Sequence, residues 1–319
     1  MRIFNERRYI IFWLWLGFAL VLLMVTIGGI TRLTGSGLSM VEWKLITGTI
    51  PPLSEQDWLQ EFEKYKTSPQ FVKVNFWMDL DAFKQIYWWE FIHRLLGRVI
   101  GFVFIIPFIF FYVKKWLPPA LLKRLVLVFL LGGLQGVVGW LMVWSGLQNQ
   151  PHVSHFRLAA HLLMALLLLS VILWTILEFQ SSSDTKVKAD RKLFWIYACL
   201  AILFIQILVG AFVAGLRAGF SYNTFPLMEG GFFPSIAVVK SSSILYNGVV
   251  LQFIHRWLAF LVLFAVLVLY MHSKSNPITK PYAFWLVMLT VAQITLGVFT
   301  LVFYVAVVLG VLHEILAIV

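Results

Sequence analysis

Glu90-Phe91-Ile92-His93-Arg94 and Gln252-Phe253-Ile254-His255-Arg256 are one pentapeptide used twice, with a single mismatch. Both copies lie near the start of a strongly apolar segment. An ionisable side chain inside a bilayer is costly, so a histidine in a membrane helix is a functional-site candidate by default. Two histidines in equivalent frames predict a duplicated site. The exchange of Glu90 for Gln252 predicts that the copies do different jobs.

The rest of the chain explains why the surroundings are read as membrane. Of 319 residues, 61% are hydrophobic and 12% charged, with 14 Trp and 29 Phe. A soluble domain does not read that way, so the bilayer is the solvent. The net charge of +11 does not indicate nucleic acid: 13 of the 25 Lys and Arg fall at the amino terminus and in the loops after every second apolar segment. That pattern is a topology signal. The lone Cys199, within an apolar run, excludes an intrachain disulfide and a thiolate metal cluster. The segment after Arg7-Arg8 lacks a small-residue cleavage site and reads as the first membrane helix, not a leader.

Eight segments approach the length needed to span hydrocarbon, at 9–30, 87–113, 124–145, 156–178, 193–216, 249–271, 282–303 and 305–319. Short basic loops carry Lys114, Lys115, Lys123 and Arg124, then Lys186, Lys188, Arg191 and Lys192, then Lys274 and Lys280. They face inward by the positive-inside rule, together with Arg2, Arg7 and Arg8, so the long segments 31–86 and 217–248 face outward. The last segment is short and reads as a helix cut off at Val319.

The duplication extends past the pentapeptide. Gly28, Gly37, Ser39 and Pro52 recur as Gly210, Gly219, Ser221 and Pro234, all at an offset of 182. His93 recurs as His255, Gln135 and Gly139 as Gln293 and Gly297, and His161 as His313. The expected fold is therefore an all-α membrane protein of eight transmembrane helices, arranged as two parallel-repeat four-helix bundles. The halves are residues 1–180, with the long outer loop 31–86, and residues 190–319.

His93, His161, His255 and His313 all fall a turn or two below the outer surface and pair naturally within each half. Two imidazoles facing each other across a helix bundle can ligate one haem iron, and haem suits an apolar cavity. Zinc would need further ligands, and the helices offer few. The plain alternative is that each histidine only hydrogen-bonds across helices, which four repeat-related positions argue against. His152, His155 and His272 read as interfacial, as do Trp88, Trp89, Trp140 and Trp144. Arg94, Arg98 and Arg256 lie at the same outward depth and suit haem propionates, or else headgroups and local pairs. Glu90, three residues before His93, can take a proton or stabilise positive charge developing on a porphyrin substituent. An ion pair with Arg94 is its structural alternative. Gln252 cannot ionise, so chemistry is expected in the first half and an electron-transfer haem in the second. The glycine-rich stretch Gly28–Gly37 follows a membrane helix and is no dinucleotide fingerprint.

Several motifs together resemble the haem A synthase family. They are Gly29-Ile30-Thr31-Arg32-Leu33-Thr34-Gly35-Ser36-Gly37-Leu38-Ser39-Met40 with Trp43, Pro51-Pro52-Leu53, Trp88 through Arg98, and the later Gln-Phe-Ile-His-Arg. The likeness covers nearly the whole chain and is nearest the proteobacterial and mitochondrial branch. It implies an inner-membrane enzyme that oxidises the ring methyl of haem O to the formyl of haem A for cytochrome oxidase, by successive hydroxylation and loss of water from a gem-diol. By position it implies that His93 and His161 hold the substrate haem, that His255 and His313 ligate a b-type haem, and that Glu90 is the catalytic carboxylate. Haem O synthase is the implied partner; the electron acceptor is left open, and a homo-oligomer is compatible with the likeness. The chain departs from the family pattern in three ways: it lacks the outer-loop cysteine pairs that some members carry, Glu314 follows His313 where Gln is expected, and the last helix is cut short.

Two other classes compete. A non-enzymatic dihaem b-type cytochrome would favour haems stacked at different depths, whereas these histidines share one. A repeat-built transporter would favour polar groups at mid-membrane, where this chain has Leu, Val, Ile and Phe.

Overall fold

The computed structural model of the chain describes residues 2–44, 47–181, 191–228 and 230–318. Its α-helices among these are α1 (Arg2–Leu33), α2 (Glu55–Lys66), α3 (Leu80–Val113), α4 (Pro119–Gly146), α5 (His155–Gln180), α6 (Arg191–Gly215), α7 (Ile236–Lys240), α8 (Gly248–Ser273), α9 (Thr279–Val302) and α10 (Val307–Leu316). Seven of them, all but α2, α7 and α10, are long and apolar enough to cross a membrane. The chain is thus an all-helical, multi-pass membrane protein. In place of an eighth span at 305–319, α10 has 10 residues, about 15 Å of helix and short of the hydrocarbon thickness. Lys186 and Lys188 lie outside the described residues.

Contacts divide the chain into two units, Met1–Ser183 and Asp184–Val319. In the first, α1 packs on α3 and α5, and α4 on α5. Pro107 lies inside α3 and has no N–H to offer the Val103 carbonyl one turn back. The indole N–H of Trp13 on α1 takes its place, donating to that carbonyl at 2.8 Å. Two of the basic residues read as a topology signal are tied down at the far end of α5: Arg7 donates to the Phe179 carbonyl and Arg124 pairs with Glu178.

Helix α1 ends as its residues require. Gly35 takes the left-handed φ of +69°, Ser36 N–H returns to Thr31 O at 2.8 Å, and Gly35 N–H to Arg32 O at 3.1 Å. The outer segment that follows is folded, which hydropathy did not reveal. Ser54 and Asp57 form a reciprocal capping box that starts α2. Asp79 caps α3 through Ala82 N–H, so that helix begins at Leu80, ahead of the expected 87. Its first turns are polar on one side, and they bury Phe83, Ile86 and Tyr87 under Phe62 and Tyr65 of α2. The Tyr65 hydroxyl donates to Gln70 and accepts from Asn75, while the Gln70 amide donates to Gly35 O. Burial pushes the Tyr65 phenol up to about 12, so it stays a neutral donor. This chain of bonds pins the outer segment to the turn at the end of α1.

In the second unit α6 packs on α8, α8 on α9, and α9 on α10. Asn247 caps α8 by accepting from Val250 N–H at 3.2 Å. Arg217, at the end of α6, takes a left-handed φ of +54° at the position offset by 182 from Gly35.

Trp13→Phe should leave the Val103 carbonyl unpaired and cost about 1–2 kcal/mol. In a Pro107→Ala background, where the helix supplies its own N–H, the same change should cost clearly less. A double-mutant cycle on unfolding in detergent, followed by circular dichroism, measures the difference.

Candidate functional site

The four histidines fall into two pairs. In the second unit His255 on α8 and His313 on α10 face each other, ring centres 6.4 Å apart and planes at 89°. A metal–imidazole bond of about 2.0–2.1 Å, with the ring centre roughly 1.2 Å behind its nitrogen, puts two rings on opposite sides of one metal about 6.4 Å apart. In the first unit His93 on α3 is seated against α1 and His161 on α5 against α4, and α1 and α4 both pack on α5. Nδ1 of all four is buried without a hydrogen-bond partner among the described residues. Buried polar atoms are normally satisfied, so a fourfold exception at repeat-related positions sets these rings apart from ordinary core histidines.

Each ring is seated against a glycine of a neighbouring helix. A Cβ on Gly28 would stand 3.0 Å from Cε1 of His93, on Gly139 2.7 Å from His161, on Gly210 2.8 Å from His255, and on Gly297 2.8 Å from His313. Only a hydrogen fits there. The same helices offer a second contact one turn earlier. Gln135 Nε2 donates to the His161 carbonyl at 3.1 Å, Gln206 to that of His255 at 3.1 Å, and Gln293 to that of His313 at 2.9 Å. The recurrence of Gln135 as Gln293 was visible in sequence; the purpose of these glutamines, and the third one at Gln206, was not. The signal that marks all three is Gln four residues before Gly.

Glu90 is buried, with 4% of its side chain exposed, and pairs with Arg94 at 2.6 Å. Its other oxygen accepts from the Ser39 hydroxyl and from Met40 N–H, both at 2.8 Å. Arg94 then donates to Met40 O at 2.8 Å and Glu42 O at 2.9 Å, and lies over the Trp43 ring at 4.7 Å. Arg256 repeats this on the other outer segment, donating to Tyr222 O at 2.7 Å and Thr224 O at 2.8 Å. Those acceptors are offset from Met40 and Glu42 by the same 182 residues. Gln252 sits where Glu90 does and likewise accepts from its arginine, Arg256, at 3.1 Å, but its other end is a donor: the amide donates to Ala218 O at 2.8 Å and Tyr222 O at 3.1 Å. Arg98 donates to Lys44 O at 2.7 Å. The three arginines therefore bind outer-segment carbonyls first.

The remaining candidates fall elsewhere. His155 opens α5, is buried and stacks on Phe156 at 4.1 Å, and His272 stacks on Trp195 at 6.3 Å. Trp88, Trp89, Trp140 and Trp144 stay between 37% and 45% exposed, as a membrane-interface belt requires. Among the described residues no three His, Cys, Asp or Glu side chains converge, so the paired imidazoles lack the extra donors of a zinc site. The glycine seats recur at all four rings, and the separation of His255 and His313 fits one haem iron between that pair.

Comparison with known proteins identifies the family. The family model described as cytochrome oxidase assembly protein matches residues 11–319. A haem A synthase from Parvibaculum lavamentivorans is 44% identical, the match covering 97% of this chain and 91% of that one. Haem A synthases from Wolbachia pipientis wMel and Nitrosospira multiformis are 41% and 42% identical, each over 98% of this chain and 89% and 90% of theirs. The chain belongs to the haem A synthase family of cytochrome oxidase assembly proteins.

Proposed function

We propose that this chain works as a haem A synthase, oxidising the ring methyl of haem O to the formyl of haem A. The observation that carries the reading is the recurrence of four buried histidines, each seated on a glycine, with a carboxylate three residues before the histidine of one copy and an amide at the equivalent place in the other. Each half is taken as a four-helix bundle of a parallel repeat, α10 completing the eighth membrane segment. The protein is placed in the inner membrane of a bacterium or mitochondrion, amino terminus inside, with both sites near the outer face. The basic loops support that orientation.

His93 and His161 hold the substrate haem, and His255 and His313 hold a haem b. A b-type haem at the second pair supplies one-electron transfer. Written with water as the oxygen source, the change from methyl to formyl releases four electrons and four protons. Two hydroxylations and loss of water from the gem-diol account for it, with an electron acceptor and the partner haem O synthase outside the chain. Arg94, Arg98 and Arg256 hold the outer segments over the sites and turn their remaining N–H groups to propionates. Glu90 is the catalytic carboxylate. Its three donors favour a fixed negative charge that stabilises positive charge developing at the methyl carbon over a free base. A dihaem electron-transfer cytochrome has no use for the Glu90–Gln252 difference.

Purified from cells supplied with haem O, the protein should carry haem B together with haem A or a hydroxylated intermediate, identified by mass and pyridine-haemochrome spectrum. Glu90→Ala should carry haem B and unconverted haem O, with turnover down about 100-fold or more. Haem B alone at two equivalents, unchanged by the mutation, would sink the reading.

The glycine seats give a second test, with its control on the same helix. Gly139→Ala drives a methyl into His161 and should abolish low-spin haem at the first pair. Gly136→Ala meets nothing within 4 Å and should keep the haem, adding about 0.5–1 kcal/mol of stability.

A further inference from the structure

Three of the four paired histidines have their backbone carbonyl held by a glutamine from the neighbouring helix. In each case the glutamine lies one turn before the glycine that seats the ring: Gln135 and Gly139, Gln206 and Gly210, Gln293 and Gly297. The fourth seat, Gly28, has Met24 at that place. A thioether cannot donate a hydrogen bond. The Met24 tip packs instead at Gly97, 3.1 Å from where a Cβ would stand, on the turn of α3 that follows His93. The position is filled, but its donor is gone.

We propose that Gln135, Gln206 and Gln293 are positioning residues that lock their histidines as axial ligands, and that Met24 leaves His93 as the one ligand able to let go. The inference rests on the haem assignments above and adds an exchange route to them. A substrate must arrive and a product must leave, so one ligand of that site has to release. A resident cofactor needs both ligands held, and His255 and His313 both are. Each glutamine also keeps a buried, unpaired Oε1 on the residue that bonds a histidine whose Nδ1 is unpaired. A ring ligating through Nε2 carries its proton on Nδ1, and the Gln135 amide itself lies 3.5 Å from Nε2 of His161, so the glutamine sits beside the ring as well as on its carbonyl. His93 has no such amide. Met24 and Gln are similar in length and unbranched, so the two residues can be exchanged without opening a cavity.

The test uses the full-length protein in detergent, loaded with haem B and haem O, with apomyoglobin as the haem trap. Gln206→Met and Gln293→Met, which copy the natural exception, should speed haem B release about ten-fold and leave haem O release unchanged. Both should also alter the low-spin electron paramagnetic resonance signal expected of nearly perpendicular imidazole planes. Met24→Gln should slow haem O release by a similar factor and leave haem B release unchanged. Wild-type haem B release in both glutamine variants, or wild-type haem O release in Met24→Gln, overturns the lock. Bound haem whose spectrum survives both His255→Ala and His313→Ala would instead overturn the site assignment on which the inference stands.

Discussion

An imidazole inside an apolar helix bundle has to be given room by a neighbouring backbone, because no helix in lipid can open its own hydrogen bonds to make space. That constraint organises both units. Four histidines stand where four glycines remove a side chain from the facing helix, and at three of them the margin is below 3.0 Å. A methyl group at any of these points would move the ring. The helices are therefore set at a separation that serves the rings, and glutamines four residues away register them along the axis. The same limit explains Trp13 and Pro107: a carbonyl freed in hydrocarbon has to be repaired from the next helix, and the repair couples α1 to α3.

The second organising contact lies where α3 and α8 meet the segments that precede them. Arg94 and Arg256 each gather two carbonyls of an outer segment, and the four acceptors correspond across the halves. Each guanidinium is in turn held by the residue four places before it, Glu90 or Gln252. Removing one partner of a buried ion pair typically costs about 3–5 kcal/mol, because the other charge is left uncompensated. Glu90 and Arg94 thus have a structural duty whatever chemistry they perform, and loss of activity in an Arg94 variant would not by itself separate the two. The amide at Gln252 meets the same structural need without a charge, which is why the comparison between halves is informative.

Much of this was legible in the residues. Apolar length placed seven spans, since hydrophobic runs of that size have one stable environment. The repeated pentapeptide picked out His93 and His255, and constant offsets brought in His161 and His313. What stayed hidden depended on contacts between residues distant in sequence. The folded outer segment was missed because Ser54, Asp57 and Asp79 announce helices whose apolar residues, Phe62, Tyr65 and Phe83, are diluted by charge. The arginines were read as partners for propionates, and only the fold shows carbonyls from residues about 50 positions earlier reaching Arg94 first. Glycine spacing hinted at close packing, but which ring each glycine admits is a three-dimensional fact.

The departures from symmetry converge on one residue. If the halves arose from one unit, differences unrelated to function would be scattered over the helices. Two of the polar differences instead fall on α3 and α1, the helices that carry His93 and its glycine seat. Glu90 replaces an amide with a charge on the same helix, and Met24 replaces an amide donor with a thioether on the helix that seats the ring. On the function proposed above, the first difference changes what can be stabilised beside His93, and the second changes how firmly its helix is held. A site that only stored a cofactor would need neither change, and a site that turned over a tightly bound substrate would need both. The second unit keeps an amide at both equivalent places, Gln252 and Gln206, so the two differences that the proposal uses fall together in the first unit.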